Sequence, residues 1–123
     1  MRFHYNEDGD GDRLARRQIK WLESVIKEHS DSDVTLIGSG IHIIPQRPWT
    51  IVEDVGELAK TQILDLIGKY RKSGVILLTG DVHYAQLYHT KCTSYTGYDL
   101  TEICSSGMTH VLSVMTDYIE NFI

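Results

Sequence analysis

Three observations place this chain in the α/β class. Two segments repeat apolar residues at helical spacing, each is followed by a short run of strand character, and beyond Gly80 the chain turns rich in Tyr, Thr and Leu. Helices and strands alternating at this interval argue for a sheet with helices packed on it, its parallel neighbours joined by a crossover helix.

From Arg13 to His29 the apolar residues Ala15, Ile19, Leu22 and Ile26 recur at steps of four, three and four. That spacing is one face of a helix, widened by Leu14, Trp21 and Val25, and it assigns Trp21 to the packing side. Val34 to Ser39 is a short β-rich run ended by Gly38 and Gly40, and Ile41 to Ile44 is a second one. Pro45-Gln-Arg-Pro48 marks a loop. Glu57 to Lys72 repeats the helical pattern through Ala59, Ile63, Leu66, Ile67 and Tyr70, with Asp54 and Glu57 spaced as a capping box. Val75–Thr79 is apolar at four consecutive positions, as a strand covered on both faces should be. Tyr84–Thr90, Thr93–Thr96 and Tyr98–Cys104 read as strands of a meander or hairpin. Val111–Phe122 reads as a final helix.

The 123 residues, 41% of them hydrophobic, suffice for one core of ordinary size, so residues 1–123 are expected to form a single domain. A net charge of −5 argues against a nucleic-acid or anionic-membrane surface, which would require an excess of Lys and Arg. No run reaches the roughly 18 apolar residues of a membrane span. Two cysteines, Cys92 and Cys104, do not make a disulfide framework. Cys104 falls on an apolar-facing strand position and reads as core. Cys92 lies among polar residues and is expected to be solvent-accessible. The acidic stretch Asn6–Asp12 fails as a calcium loop, because Arg13 and Arg17 stand where an apolar residue and a Glu are needed, and it reads as a solvated linker.

The chemistry centres on VILLTGDVHY, residues 75–84. Ligand sites in α/β sheets lie beyond the carboxyl ends of the strands. Gly80 ends the strand where a side chain would crowd a ligand, and it hands over Asp81 and His83. A carboxylate and an imidazole suit Zn, Mn or Fe. A bound divalent ion would acidify a water and neutralise charge on a phosphoryl oxygen. The plain alternative is that Asp81 caps a turn and His83 donates one satisfied hydrogen bond. Ser106 lacks the flanking glycines of a hydrolase elbow, and Ser105–Gly107 reads as a strand-ending turn.

Three stretches, RRQIKWLESVIKEHSDSDVTLIGSGIHIIP (Arg16–Pro45), VILLTGDVHYAQL (Val75–Leu87) and YDLTEICSSGMTH (Tyr98–His110), carry a resemblance. In order and interval they resemble the Q-x-x-W-L-E helix, the leucine-rich strand ending in G-D-(V/R)-H, and the L-x-E-x-x-S-S-G-x-x-H element of the PhoD-like alkaline phosphatases. These form a branch of the calcineurin-like metallophosphatase superfamily, and the resemblance covers most of residues 13 to 110.

The resemblance implies part of an α/β/β/α metallophosphatase sandwich around a two-metal site, built here from two helix–strand units followed by a β meander. It implies divalent or trivalent metal ions (Zn, Mn, Fe or Ca) as cofactors and a phosphomonoester or phosphodiester as substrate. It maps metal binding onto Asp81 and His83. It adds His42, where PhoD-like proteins commonly carry Gln; the alternative is a histidine pointing off a short edge strand. It places His110 toward the substrate cleft. The superfamily's earlier motifs, Asp-x-His, Gly-Asp-x-x-Asp and Gly-Asn-His followed by Asp or Glu, do not occur ahead of Val75. The chain is therefore expected to match the C-terminal half of such a domain, to need the missing N-terminal half as its partner, and to be inactive alone. The competing expectation is a non-catalytic α/β interaction module that kept the fold without the chemistry. Asp-x-His and Gly-Asn-His motifs in upstream coding sequence would favour the first.

Overall fold

The structure, a computed structural model, describes residues 16–44, 55–71 and 73–106. Helix α1 spans Arg16–Glu28, strand β1 Thr35–Gly38, helix α2 Glu57–Tyr70, strand β2 Val75–Thr79, strand β3 Ala85–Thr90, the single helical turn α3 Thr93–Thr96, and strand β4 Leu100–Ser105. The four strands form one mixed sheet in the order β1-β2-β4-β3. β1, β2 and β4 run parallel, and β3 closes one edge antiparallel to β4. The fold is α/β, and the parallel pair β1 and β2 is joined through α2 as the alternation predicts.

The core lies on one face of the sheet. Ile37, Val75, Leu77 and Leu100 point into it and meet Leu22 and Ile26 of α1 and Ala59, Ile63 and Ile67 of α2. The steps 19, 22 and 26 form the packing stripe of α1, with Ile19 partly buried. Trp21 sits one residue, about 100° of helix turn, away from Leu22. It is 55% exposed, so it does not belong to the packing face. α2 begins with Gly56 as N-cap and no side-chain cap, so Glu57 occupies the first helical position and not the third; the capping box does not form. Asp54 lies outside the described residues, as do the Asn6–Asp12 stretch, the Pro45–Pro48 loop and the Val111–Phe122 segment.

The opposite face differs from the expectation. In register across the sheet stand Gly38, Leu78, Ile103 and Leu87, flanked by Leu36. Leu36, Leu78, Leu87 and Ile103 are all exposed. Among the described residues no element packs on this side, so VILLT is covered on one face only.

The meander is also corrected. β4 inserts beside β2 and pushes β3 to the edge, so consecutive strands β2 and β3 are not neighbours. Thr93–Thr96 is a helical turn, not a strand. The carbonyl of Cys92 accepts hydrogen bonds from Tyr95 N–H and Thr96 N–H, both at 2.9 Å, and Gly97 at φ 79° terminates the turn. The turn packs so tightly on α2 that a Cβ on Gly68 would lie 2.0 Å from the Tyr95 carbonyl oxygen. Tertiary contact thus overrides the strand preference of Thr and Tyr. Cys92 anchors the turn from inside and is 5% exposed, against the expected accessibility. Burial, together with the charge of Asp99, pushes its thiol up, which makes it a core residue rather than a reactive thiolate. Cys104 is buried as expected.

Candidate functional site

The carboxyl ends of β1, β2 and β4 lie side by side, because the three strands are parallel and in register. The loops after β1 and β2 carry Ser39–His42 and Gly80–Tyr84, and β4 ends at Ser105, followed by Ser106. A Cβ built on Gly80 would stand 3.7 Å from the Gly40 carbonyl oxygen and 3.9 Å from that of Ser105. These are ordinary contacts, so crowding does not demand glycine at position 80. The turn is made by the next residues instead. Asp81 at φ 69° and His83 at φ 60° are the non-glycine residues with left-handed backbone among those described. Such conformations are sparsely populated, although Asp and His tolerate them better than most side chains. Val82 between them is buried, while Asp81 and His83 are exposed. The Tyr84 carbonyl accepts from Ser106 Oγ at 3.4 Å, which ties this loop to the end of β4.

The neighbouring loop carries His42. Ser39 N–H extends the ladder to the Leu78 carbonyl at 2.8 Å, and Ser39 Oγ donates to the Ile41 carbonyl at 2.7 Å. This turn brings His42 inside, where it is 1% exposed. It does not point off an edge strand. Its Nδ1 lies 2.6 Å from Oε1 of Glu102, a carboxylate that is 0% exposed. The same carboxylate accepts from Ile43 N–H at 3.3 Å, Ile44 N–H at 2.7 Å and Thr79 Oγ1 at 2.8 Å. Burial by itself would raise the carboxyl of Glu102. The hydrogen bonds from His42, Ile44 and Thr79 outweigh it and hold the group below its ordinary range. Tyr88 meets the His42 ring edge-on at 5.6 Å, and Tyr84 lies at 6.4 Å. Nε2 of His42 is buried and has no hydrogen-bond partner among the described residues.

Thr79 and Tyr88 are site residues outside the fixed motif positions, and Glu102 is the fixed acid of the L-x-E-x-x-S-S-G-x-x-H element, to which the motif assigns no role. One signal was available: Leu100, Glu102 and Cys104 alternate along β4, which puts an acid on the core-facing side. An open cavity of about 400 Å³ lies between α2, β3 and α3, lined among others by Ile44, Lys60, Tyr88, Lys91 and Tyr95. It reaches the site through Tyr88 and Ile44.

The donors suit a metal ion singly. His42 offers a buried ring nitrogen without a partner among the described residues, and Asp81 and His83 offer a carboxylate and an imidazole on a shaped loop. As a set they are short: among the described residues no group of three or more His, Cys, Asp or Glu side chains gathers where an ion could be held. His110, assigned to the substrate cleft, lies outside the described residues. Among those residues no helix is long and apolar enough to cross a membrane.

No family model matches the sequence, and no match is found among the curated proteins.

Proposed function

We propose that the carboxyl edge of this sheet is part of a metal-dependent phosphoesterase site acting on phosphomonoesters or phosphodiesters. The observation that carries the proposal is the left-handed pair Asp81 and His83. Two metal-competent side chains stand on strained backbone directly after a parallel strand, where backbone strain and ligand sites both concentrate. The motif resemblance in the sequence supplies the reaction class. A bound metal would provide charge for a phosphoryl oxygen and a more acidic water. Asp81 and His83 would donate to it from one loop and His42 from the next, with Ser105 and Ser106 beside them. The α/β/β/α sandwich belongs to this reading, since the exposed row Leu36, Leu78, Ile103 and Leu87 is what a second sheet would cover. A structural zinc site takes four ligands and a catalytic one usually three. Among the described residues no three such side chains gather at one point, so this chain alone is expected to hydrolyse an aryl phosphate at background rate.

The test is a titration of the ¹⁵N-labelled chain with Zn²⁺, read by NMR. Resonances of Asp81 and His83 are expected to move first, and the Asp81→Ala/His83→Ala double variant to lose that response. Shifts spread evenly over the surface, or unchanged in the double variant, would refute the proposal. Fast hydrolysis by the chain alone, abolished by a chelator and by Asp81→Ala, would instead show that these residues suffice.

The same apolar row favours a second reading, a non-catalytic interaction module. It would be preferred if Zn²⁺ left the 81–83 loop untouched while the chain self-associated with concentration, and if Leu87→Glu suppressed that association.

A further inference from the structure

We infer that Glu102 is a positioning residue: it locks His42 in the tautomer with the proton on Nδ1 and so turns Nε2 into a metal-facing lone pair. The inference rests on the metal-site reading for the identity of the ligand, and on geometry for the rest.

Two oxygens surround Nδ1 of His42. One is Oε1 of Glu102 at 2.6 Å, and the other is Oγ1 of Thr79 at 3.4 Å. Thr79 gives its only hydroxyl proton to Oε1 at 2.8 Å, so toward the ring it can only accept. Glu102 receives further donors on both oxygens, from Ile43 N–H at 3.3 Å and Ile44 N–H at 2.7 Å. Three donors, the N–H groups of Ile43 and Ile44 and the Thr79 hydroxyl, already face its two oxygens, which favours the ionised carboxylate, and that form accepts only. With only acceptors and no donor facing Nδ1, the ring must donate there. The proton of a neutral imidazole is thereby assigned to Nδ1, and the lone pair to Nε2.

Nε2 is then a buried acceptor with no partner among the described residues, in a ring flanked by Tyr84 and Tyr88. An acceptor buried without a donor is costly, and a ligand would offset that cost. The arrangement is also the one that orients metal-bound histidines, in which the second ring nitrogen donates to a carboxylate that fixes the tautomer and raises the basicity of the ligand atom. Glu102 itself cannot reach the ion while its oxygens are engaged, so it acts through His42. Its reach is long in the chain, since 60 residues separate the two. The clamp on Ile43 and Ile44 N–H fixes the loop on which the ring is mounted.

The experiment is a long-range ¹H–¹⁵N correlation of the histidine rings in the full ¹⁵N-labelled chain, at about pH 8, above the ordinary histidine value of about 6.5, with and without Zn²⁺. His42 is expected with Nδ1 protonated and Nε2 bare, and Zn²⁺ is expected to move Nε2. In Glu102→Gln the amide must turn its NH₂ either to His42 Nδ1 or to Ile44 N–H, and the first choice forces the proton to Nε2. That variant is expected to populate the Nε2–H tautomer and to weaken Zn²⁺ binding at His42 about 10–100-fold. Thr79→Val removes one donor to Glu102 and is expected to keep the wild-type tautomer. An Nε2–H tautomer in the wild-type chain overturns the inference, and this measurement decides even if Glu102→Gln does not fold. A folded Glu102→Gln with unchanged tautomer and affinity overturns it as well. The expected tautomer with no Zn²⁺ response at Nε2 also overturns it. In that titration the Asp81 and His83 signals report separately whether the metal reading survives.

Discussion

The two ends of the sheet each bury one charge, and they treat it differently. At the end where the parallel strands begin, Arg71 is 3% exposed and spreads its guanidinium over backbone carbonyls: His29 at 3.2 Å, Ser30 at 2.8 Å, Ser32 at 2.5 Å and Ser73 at 3.2 Å. At the other end Glu102 collects backbone N–H groups, a hydroxyl and an imidazole. Neither charge has an opposite ionised partner of the usual Arg–carboxylate kind. Carbonyls face Arg71, and backbone N–H groups, the Thr79 hydroxyl and His42 face Glu102; these hydrogen bonds offset the cost of burying each charge. Each end also leaves one nitrogen unpartnered among the described residues, Nε of Arg71 and Nε2 of His42. The difference lies in what those atoms can become. Arg71 Nε is always an N–H donor on a cation, and the carbonyls around it tie α1 to the start of β2. His42 Nε2 can carry a lone pair, and its surroundings force it to. An orphaned atom alone does not make a site; the neighbours that fix its chemistry do.

The largest effect that would break this comparison is at Glu102. Glu102→Ala removes the acceptor for His42, Ile43, Ile44 and Thr79 at once and leaves buried donors without partners. A loss of about 3–5 kcal/mol in urea unfolding is expected. A loss below about 1 kcal/mol would mean that water enters freely and that the enclosure argued for His42 does not exist.

Next in size is Arg71. Arg71→Met keeps the apolar stem but drops the guanidinium. The carbonyls it serves belong to the mostly exposed 29–33 turn and to Ser73, so water can replace part of what is lost. About 2–3 kcal/mol is expected by the same measurement. Equal or greater cost than Glu102→Ala would reverse the ranking of the two ends.

The smallest effect is in pH. The carboxyl of Glu102 is held below its ordinary value in the folded chain. A group with a lowered folded pKa stabilises above its unfolded value, and that contribution is lost as pH falls through the folded one. Thermal unfolding of the wild-type chain should therefore lose stability from about pH 4.5 downward, the ordinary value for the group. Glu102→Gln should be less stable at neutral pH and show a shallower acid limb. A parallel pair of pH profiles would show that Glu102 does not carry this linkage.

Much of the framework was legible without coordinates. Ile19, Leu22 and Ile26 gave one helix stripe and Ala59, Ile63 and Ile67 the other, and β2 runs over Val75–Thr79 as read. The position of Asp81 and His83 after a parallel strand was also legible. The site as a whole was not. His42 could be named only as a nearby histidine, because what defines its ring is Glu102, 60 residues on and two strands away. Trp21 misled because a wide apolar stripe does not say where packing stops. Cys92 misled because polar neighbours in sequence say little about a residue whose carbonyl seeds a turn against α2.

What the sequence determined by itself is the local part: helical period, strand length, and the residue types at the end of β2. These follow from side-chain spacing within one element, where neighbours along the chain are also neighbours in space. What only the tertiary structure decided is non-local. β4 inserts between β2 and β3, which brings Glu102 onto the core face beside Thr79 and within reach of the loop after β1. Tyr95 presses its carbonyl against Gly68, which turns a β-prone Thr-Ser-Tyr-Thr into a helical turn. Each depends on which strand pairs with which. Pairing is settled by the burial of a whole face and by the satisfaction of every inward polar group, conditions that no single segment can meet alone.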